Sequence, residues 1–296
     1  MATETQTIAG YRLRSLLQTG QHSQVYEVVE PSSNRHFAMK VLLPEAAGQE
    51  DKRRMLFHEA EIGTKLRHEN VINILKVNRD KHTPHFIMEF FPSGSPGTWF
   101  REPDGEKKQD RLKFLRENAK RIFVKTATGL AYMHSQGFIH RDVKPDNLLV
   151  NQLGQTKLID FAISQRVKTG FAKWFHRKGR ASGTPSYMSP EQIRDELIDG
   201  RADMYSYACM LYELTTHRKP FSGATQADLL IKHCRTQPDS PQSHAKELTD
   251  DFADLVLRML KKKREDRPKD FYEVLMALRK MKVYKDETYT EEEGMG

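Results

Sequence analysis

The stretch that decides the reading is His140-Arg141-Asp142-Val143-Lys144-Pro145-Asp146-Asn147. It brings a carboxylate, an ammonium group and a side-chain amide into one short polar run. Phosphoryl transfer asks little covalent chemistry of a protein. It needs a carboxylate beside the attacking hydroxyl, hard oxygen ligands for a metal ion, and positive charge near the moving group. Asp142 can serve as the first, Asn147 offers an amide oxygen suited to Mg²⁺, and Lys144 supplies the charge. The run lies between a helical pattern at Ala119 to Gln136, stopped by Gly137, and a short hairpin, Leu148-Leu149-Val150 followed by Thr156 to Ile159.

Outward from this loop the chain divides in two. Towards the N-terminus, Tyr11 to Leu17, Gln24 to Glu30, His36 to Leu43, Ile72 to Asn78 and His85 to Phe90 read as strands, with Thr19-Gly20 and Pro31-Ser32-Ser33-Asn34 as turns. Met55 to Arg67 reads as the one helix among them. After Pro92 the pattern turns helical. Ala202 to Thr216 is apolar almost all round, which suits a helix inside a large domain. Phe252 to Leu260 and Phe271 to Leu278 mark two amphipathic helices. The expected organisation is an extension at 1–10, a small lobe at 11–91, a larger lobe at 92–282 and an acidic tail at 283–296. Ligands favour the cleft between two such lobes.

Composition excludes several classes. With 296 residues, 38% hydrophobic and 30% charged, the chain suits a globular protein. It has no membrane-length apolar run, and its polar first ten residues are not expected to act as a secretory leader. The two cysteines, Cys209 and Cys234, read as reduced thiols, which suits the cytoplasm. The net charge of +8 is dispersed over many segments, which argues against a nucleic-acid module and fits solubility and affinity for polyanions.

Further motifs carry a family resemblance. Asp160-Phe161-Ala162 follows Asn147; Lys40 ends Phe37-Ala38-Met39-Lys40; Gly183-Thr184-Pro185 precedes Ser189-Pro190-Glu191; and Arg267 sits in Arg264-Glu265-Asp266-Arg267-Pro268. Over about residues 11–282 the chain resembles the catalytic domain of eukaryotic-type serine/threonine protein kinases, with a leaning to the bacterial branch. The resemblance implies an α+β, bilobal protein kinase fold and transfer of the ATP γ-phosphate to Ser/Thr hydroxyls of proteins, autophosphorylation through a transient homodimer included. Mg²⁺ is the implied metal, with Mn²⁺ as its substitute. Asp142 becomes the catalytic carboxylate and Lys144 the phosphate-side cation. Asn147 and Asp160 become metal ligands, and Thr184 bonds Asp142 and Lys144. Lys40 grips the α/β-phosphates and is steered by Glu59, with Glu61 as the alternative partner. Leu17, Val25, Ala38 and Leu149 would sandwich adenine, with Met88 at the back and Glu89 and Phe91 on its edge. Gly20 and Ser23 would cover the phosphates. Asp203 would anchor the catalytic loop, and Glu191 would pair with Arg267.

Departures from the family pattern set further expectations. Gln18-Thr19-Gly20-Gln21-His22-Ser23-Gln24-Val25 keeps one glycine of three, which points to modest ATP affinity. Ala162 replaces the usual glycine and is expected to bias its segment. Gly63 replaces a bulky apolar residue and is expected to loosen its helix and lower basal activity. Arg141 implies a phosphorylated activation segment, with Thr169 and Ser182 as candidates amid six basic residues and no acidic one from Arg166 to Arg180. The rival readings are a pseudokinase scaffold without useful turnover and a small-molecule kinase.

Overall fold

The computed structural model describes residues 6–167 and 183–287. Thr169 and Ser182, with most of the basic stretch around them, lie outside these residues. The chain forms two compact units. One comprises residues up to Pro92 together with Asp160–Ala162, and the other holds the rest.

The first unit is built on a six-stranded antiparallel sheet, ordered β1-β2-β3-β4-β6-β5. Its strands are β1 (Thr7–Ile8), β2 (Tyr11–Thr19), β3 (Ser23–Glu30), β4 (Arg35–Leu42), β5 (Ile74–Asn78) and β6 (His85–Glu89). Strand β1 falls within the expected extension and pairs with β2 through Ile8 and Tyr11. Alternation sends Val28, Phe37, Met39, Val41 and Ile87 into a core with Tyr11, whose ring meets Phe37 edge-on at 6.2 Å.

Two helices follow β4: α1 (Pro44–Ala47) and α2 (Glu50–Gly63). Helix α2 begins at Glu50, ahead of the Met55 start that the apolar pattern predicts, because Glu50 and Asp51 favour a helix N-terminus although they add nothing to the hydrophobic stripe. It ends at Gly63, and the expected continuation to Arg67 is not helical.

The second unit is mainly helical: α3 (Pro96–Arg101), α4 (Glu106–Glu117), α5 (Ala119–Ser135), α6 (Pro190–Ile193), α7 (Gly200–Thr216), α8 (Gln226–Arg235), α9 (Asp250–Met259) and α10 (Phe271–Lys280). Two short antiparallel pairs accompany them. Strand β7 (Phe138–Ile139) pairs with β10 (Gln165–Arg166), and β8 (Leu148–Val150) pairs with β9 (Thr156–Leu158). Helix α7 is buried nearly throughout, and Tyr207 satisfies its hydroxyl by donating to the Phe123 carbonyl at 2.8 Å. Asp199, Thr249 and Asp270 cap α7, α9 and α10 by accepting main-chain N–H groups. Residues 283–287, expected in the tail, pack on this unit: Val283 and Tyr284 are buried, and Asp286 pairs with Arg116 at 2.8 Å.

Candidate active site

In the β-rich unit, the pleat of β4 and the inner face of α2 bring Lys40 and Glu59 together. Lys40 Nζ donates to Glu59 Oε2 at 2.6 Å and stands 3.9 Å from Asp160 Oδ1. Burial raises the Glu59 carboxyl to about 7, with Asp160 adding to the rise and Lys40 opposing it. The neighbouring carboxylates hold Lys40 protonated, its pKa raised despite burial. Glu61 is exposed and pairs with Lys65 at 2.7 Å, so Glu59 is the partner. The Phe161 amide also hydrogen-bonds the Glu59 carboxylate.

Gly20 closes the β2–β3 turn by donating its N–H to the Ser23 carbonyl at 2.8 Å. Leu17 is 47% exposed, Val25 half-buried, and Ala38 faces Met88 across the β4–β6 pair. Glu89 and Asn73 hold each other reciprocally: the Glu89 N–H donates to the Asn73 carbonyl at 3.0 Å and the Asn73 N–H to Glu89 Oε1 at 2.8 Å. That bond fixes the strand end leading to half-buried Phe91.

Two expectations change here. The space beside Gly63 is filled: a Cβ there would lie 2.7 Å from Ile74 Cγ1 and 3.2 Å from Phe161 Cδ2. The packing that a bulky residue would give from α2 comes instead from β5. Ala162 is not strained, because the positive φ falls on Asp160, at 68°. Asp160 is a residue type that tolerates this region, and the Ala162 N–H donates to its own Oδ1 at 3.3 Å.

In the helical unit, Asp142, Lys144, Asn147 and Thr184 form one network. Lys144 Nζ donates to Asp142 Oδ2 and to Thr184 Oγ1, each at 2.6 Å. Thr184 donates its hydroxyl (2.8 Å) and its N–H (3.0 Å) to Asp142 Oδ1. Asn147 Nδ2 donates to the Asp142 carbonyl at 2.9 Å and to Oδ2 at 3.0 Å. With its nitrogen committed inwards, Asn147 presents its amide oxygen, which suits a hard cation. Asp160, 37% exposed in the other unit, offers a carboxylate of the same kind. An amide oxygen and a carboxylate oxygen are each hard donors of the kind Mg²⁺ takes beside several of its own waters.

Fully buried Asp203, low in α7, holds this loop from below. It accepts the N–H of His140 at 2.8 Å, the N–H of Arg141 at 2.7 Å and His134 Nε2 at 2.8 Å. Its pKa is lowered: the bonds from His134 and the loop amides overcome the opposing effect of burial. Glu191 and Arg267 form a buried two-pronged pair at 2.7 and 2.9 Å. Among the described residues, the Arg141 side chain reaches the Ile163 carbonyl (3.3 Å) and Gln165 Oε1 (3.2 Å), and its buried Nε has no partner. Leu149 is half-buried on β8.

Three supports were not anticipated. Gln192 Nε2 donates to the Arg141 carbonyl at 2.9 Å, Ser164 donates to the His140 carbonyl at 3.0 Å, and His134 braces Asp203. Only Gln192 had a local signal, as the last residue of the Ser189–Gln192 capping box. Ser164 is also buried, which removes it from the accessible hydroxyls of its segment.

Comparison with known proteins agrees with this geometry. The family description "Protein kinase domain" matches residues 11–278. A probable serine/threonine-protein kinase of Streptomyces coelicolor is 29% identical over 260 residues, 85% of this chain and 37% of its own. The serine/threonine-protein kinase PksC of the same organism is 30% identical over 261 residues, 87% of this chain and 46% of its own. The serine/threonine-protein kinase PknB of Mycobacterium leprae is 27% identical over 261 residues, 87% and 40% of the two chains. The chain thus spans less than half the length of these relatives.

Proposed function

The chain belongs to the protein kinase domain family, and from that premise we propose that it transfers the γ-phosphate of ATP to serine and threonine hydroxyls of proteins. The observation that carries this is the Asp142 carboxylate, held at once by Lys144, Thr184 and Asn147. Asp142 takes the proton of the acceptor hydroxyl and aims its oxygen. Lys144 offsets charge on the transferring group. Lys40, steered by Glu59, holds the α- and β-phosphates. The metal donors are assigned to Asn147 and Asp160. Mg²⁺, with Mn²⁺ as its substitute, supplies charge neutralisation on the phosphate oxygens when bound. Leu17, Gly20, Ser23, Val25, Ala38, Met88, Glu89, Phe91 and Leu149 are assigned to the nucleotide.

The Thr184–Lys144 bond supports serine/threonine over tyrosine acceptors, since it occupies the cation beside the carboxylate in the manner expected for that class. The buried, unpartnered Nε of Arg141 supports a phosphorylated activation segment as its partner, with autophosphorylation by a transient homodimer as the source. Among the described residues no helix is long and apolar enough to cross a membrane. Two free thiols and the need for ATP support a cytoplasmic location. No nucleic-acid partner is assigned.

The test is phosphate labelling of the chain itself and of myelin basic protein with ATP and Mg²⁺. Asp142→Asn should reduce the rate roughly 10²–10⁴-fold. Nucleotide binding with no labelling of either protein would favour the pseudokinase reading, which the glycine-poor Gln18–Val25 loop still supports.

A further inference from the structure

Away from the proposed active site, in the helical unit, the half-buried side chain of Lys262 ends among aromatic groups. Its Nζ lies 4.1 Å from the centre of the Phe221 ring and 5.5 Å from that of Tyr205, and it donates to the Tyr205 hydroxyl at 3.3 Å. The main chain is pinned as well: the Lys262 carbonyl accepts from Arg267 Nη2 at 3.2 Å. Lys261 and Lys263, on either side in the sequence, are both exposed.

Among the described residues no carboxylate lies within ion-pair distance of this ammonium. Glu191, the buried acid of the region, is committed to Arg267 at 2.7 Å. The titratable groups around Lys262 are Tyr205 and Cys209 from α7, His233 and Cys234 from α8, and the guanidiniums of Arg194 and Arg267. Burial raises the Tyr205 phenol and the Cys209 thiol, so both stay protonated and neither is a counter-ion. Burial, helped by Lys262 itself, lowers His233 to about 3 and leaves a neutral imidazole. Tyr205 accepts from Lys262 and so donates to His233 Nδ1 at 3.1 Å, which puts the ring proton on Nε2. The Ser186 main chain interacts with this ring, but the buried Nε2 finds no partner at hydrogen-bonding geometry among the described residues.

The box therefore holds a cation that nothing neutralises and a spare N–H donor. Burial pushes the Lys262 amine down to about 8, with Arg267 and Arg194 adding to the fall. At pH 7.5 about a quarter of such an amine is unprotonated, against about one part in a thousand for an ordinary lysine.

We propose that Lys262 is an acylation site, taking a short acyl group such as acetyl from an activated donor, an acyl phosphate or an acyl thioester. The unprotonated Nζ attacks the carbonyl carbon of the donor. The N–C bond forms, the bond from that carbon to the phosphate oxygen or thioester sulfur breaks, and the phosphate or thiolate leaves with the electron pair. The surplus proton of the amine passes to water. The product amide keeps one N–H for Tyr205 Oη, sheds the charge, and brings a carbonyl oxygen, the kind of acceptor that His233 Nε2 lacks.

The test incubates the whole chain, without nucleotide, with acetyl phosphate in one arm and acetyl-coenzyme A in another, from pH 7 to 10. Site-resolved mass spectrometry follows each lysine. At pH 7.5 Lys262 should be acetylated at least about fivefold faster than Lys261 and Lys263, its internal references. Its rate should level off above about pH 8, while theirs keeps rising. Cys234→Asp sets a carboxylate beside the amine and should bring Lys262 down to the rate of its neighbours; the wild-type arms decide by themselves should this variant fold poorly. Equal rates at the three lysines with both donors, or a Lys262 rate still climbing at pH 10, overturns the site. Reaction with one donor alone names that donor as the source. A folded Cys234→Asp chain that keeps the full preference overturns the missing counter-ion as its cause.

Discussion

Ile74 occupies the space that a side chain on Gly63 would need, its Cγ1 lying 2.7 Å from where a Cβ would stand. The glycine at the end of α2 is therefore a fitted contact, with Phe161 as the third member. Gly63→Leu should destabilise the chain by about 1–3 kcal/mol through overpacking, despite the better helix propensity of leucine. Adding Ile74→Ala should recover a large part of that loss. Denaturant unfolding of the three variants checks this, and simple additivity of the two changes would contradict it.

The Lys40–Glu59 pair sets a pH dependence. The folded Glu59 pKa is raised to about 7 by burial, above its ordinary value of 4.5. Between those values the folded protein holds a proton that the unfolded chain lacks. Protonation at Glu59 therefore favours the fold at low pH, and this contribution fades as pH rises through 7. The ion pair behaves oppositely: it is complete above about pH 7 and is lost below it. kcat/KM for ATP should thus fall on the acid side with a midpoint near 7. Glu59→Gln should lower the plateau and remove this limb. An identical acid limb in the variant would assign it elsewhere.

Asp203 ties two consecutive loop amides and one imidazole to α7 with no exposed surface. Asp203→Asn replaces one acceptor oxygen by a donor facing N–H groups. A loss of about 3–5 kcal/mol is expected, as for other broken buried charges. Because the folded Asp203 pKa is lowered, its stabilisation is present above the unfolded value of 3.8 and disappears as pH falls through the folded one. Thermal unfolding at neutral pH and at about pH 3 measures both effects, and the gap between wild type and variant should narrow in acid.

Thr184 bridges Lys144 and Asp142 through one hydroxyl. Thr184→Ala should lower kcat about 10–100-fold with ATP affinity nearly unchanged, since the bridging oxygen positions the carboxylate and lies outside the nucleotide contacts assigned above. Thr184→Ser keeps the hydroxyl and should restore most of the rate. A serine variant as slow as the alanine one would locate the function of Thr184 in its methyl group.

The loop from His140 to Asn147 was legible because its chemistry is local, and so was Lys40, placed on its strand by alternation. Helix α4 was not, because eight of its twelve residues are charged and only Leu115 is buried. Helix α8 likewise buries only His233, and its apolar residues face outward or stay half-buried. The role of Gly63 escaped because its partner, Ile74, comes from a strand, and no spacing rule connects a helix end to a side chain beyond an intervening loop. His134, Ser164 and Gln192 support the catalytic loop across long sequence separations, where periodicity carries no signal. Glu59 could be narrowed to two carboxylates by counting, and only burial separates it from Glu61.

Residues 160–162 belong to the N-terminal unit although residues 93–159 are built into the other. Phe161, fully buried, closes the contact around Gly63 and ties its amide to Glu59. On the ribosome, the first ninety or so residues therefore emerge with that seat open. The β-rich half can reach its finished state only after residues 140–147 have been synthesised, so a nascent chain cannot complete the contact of Phe161 with Glu59 and Gly63 before it also possesses Asp142.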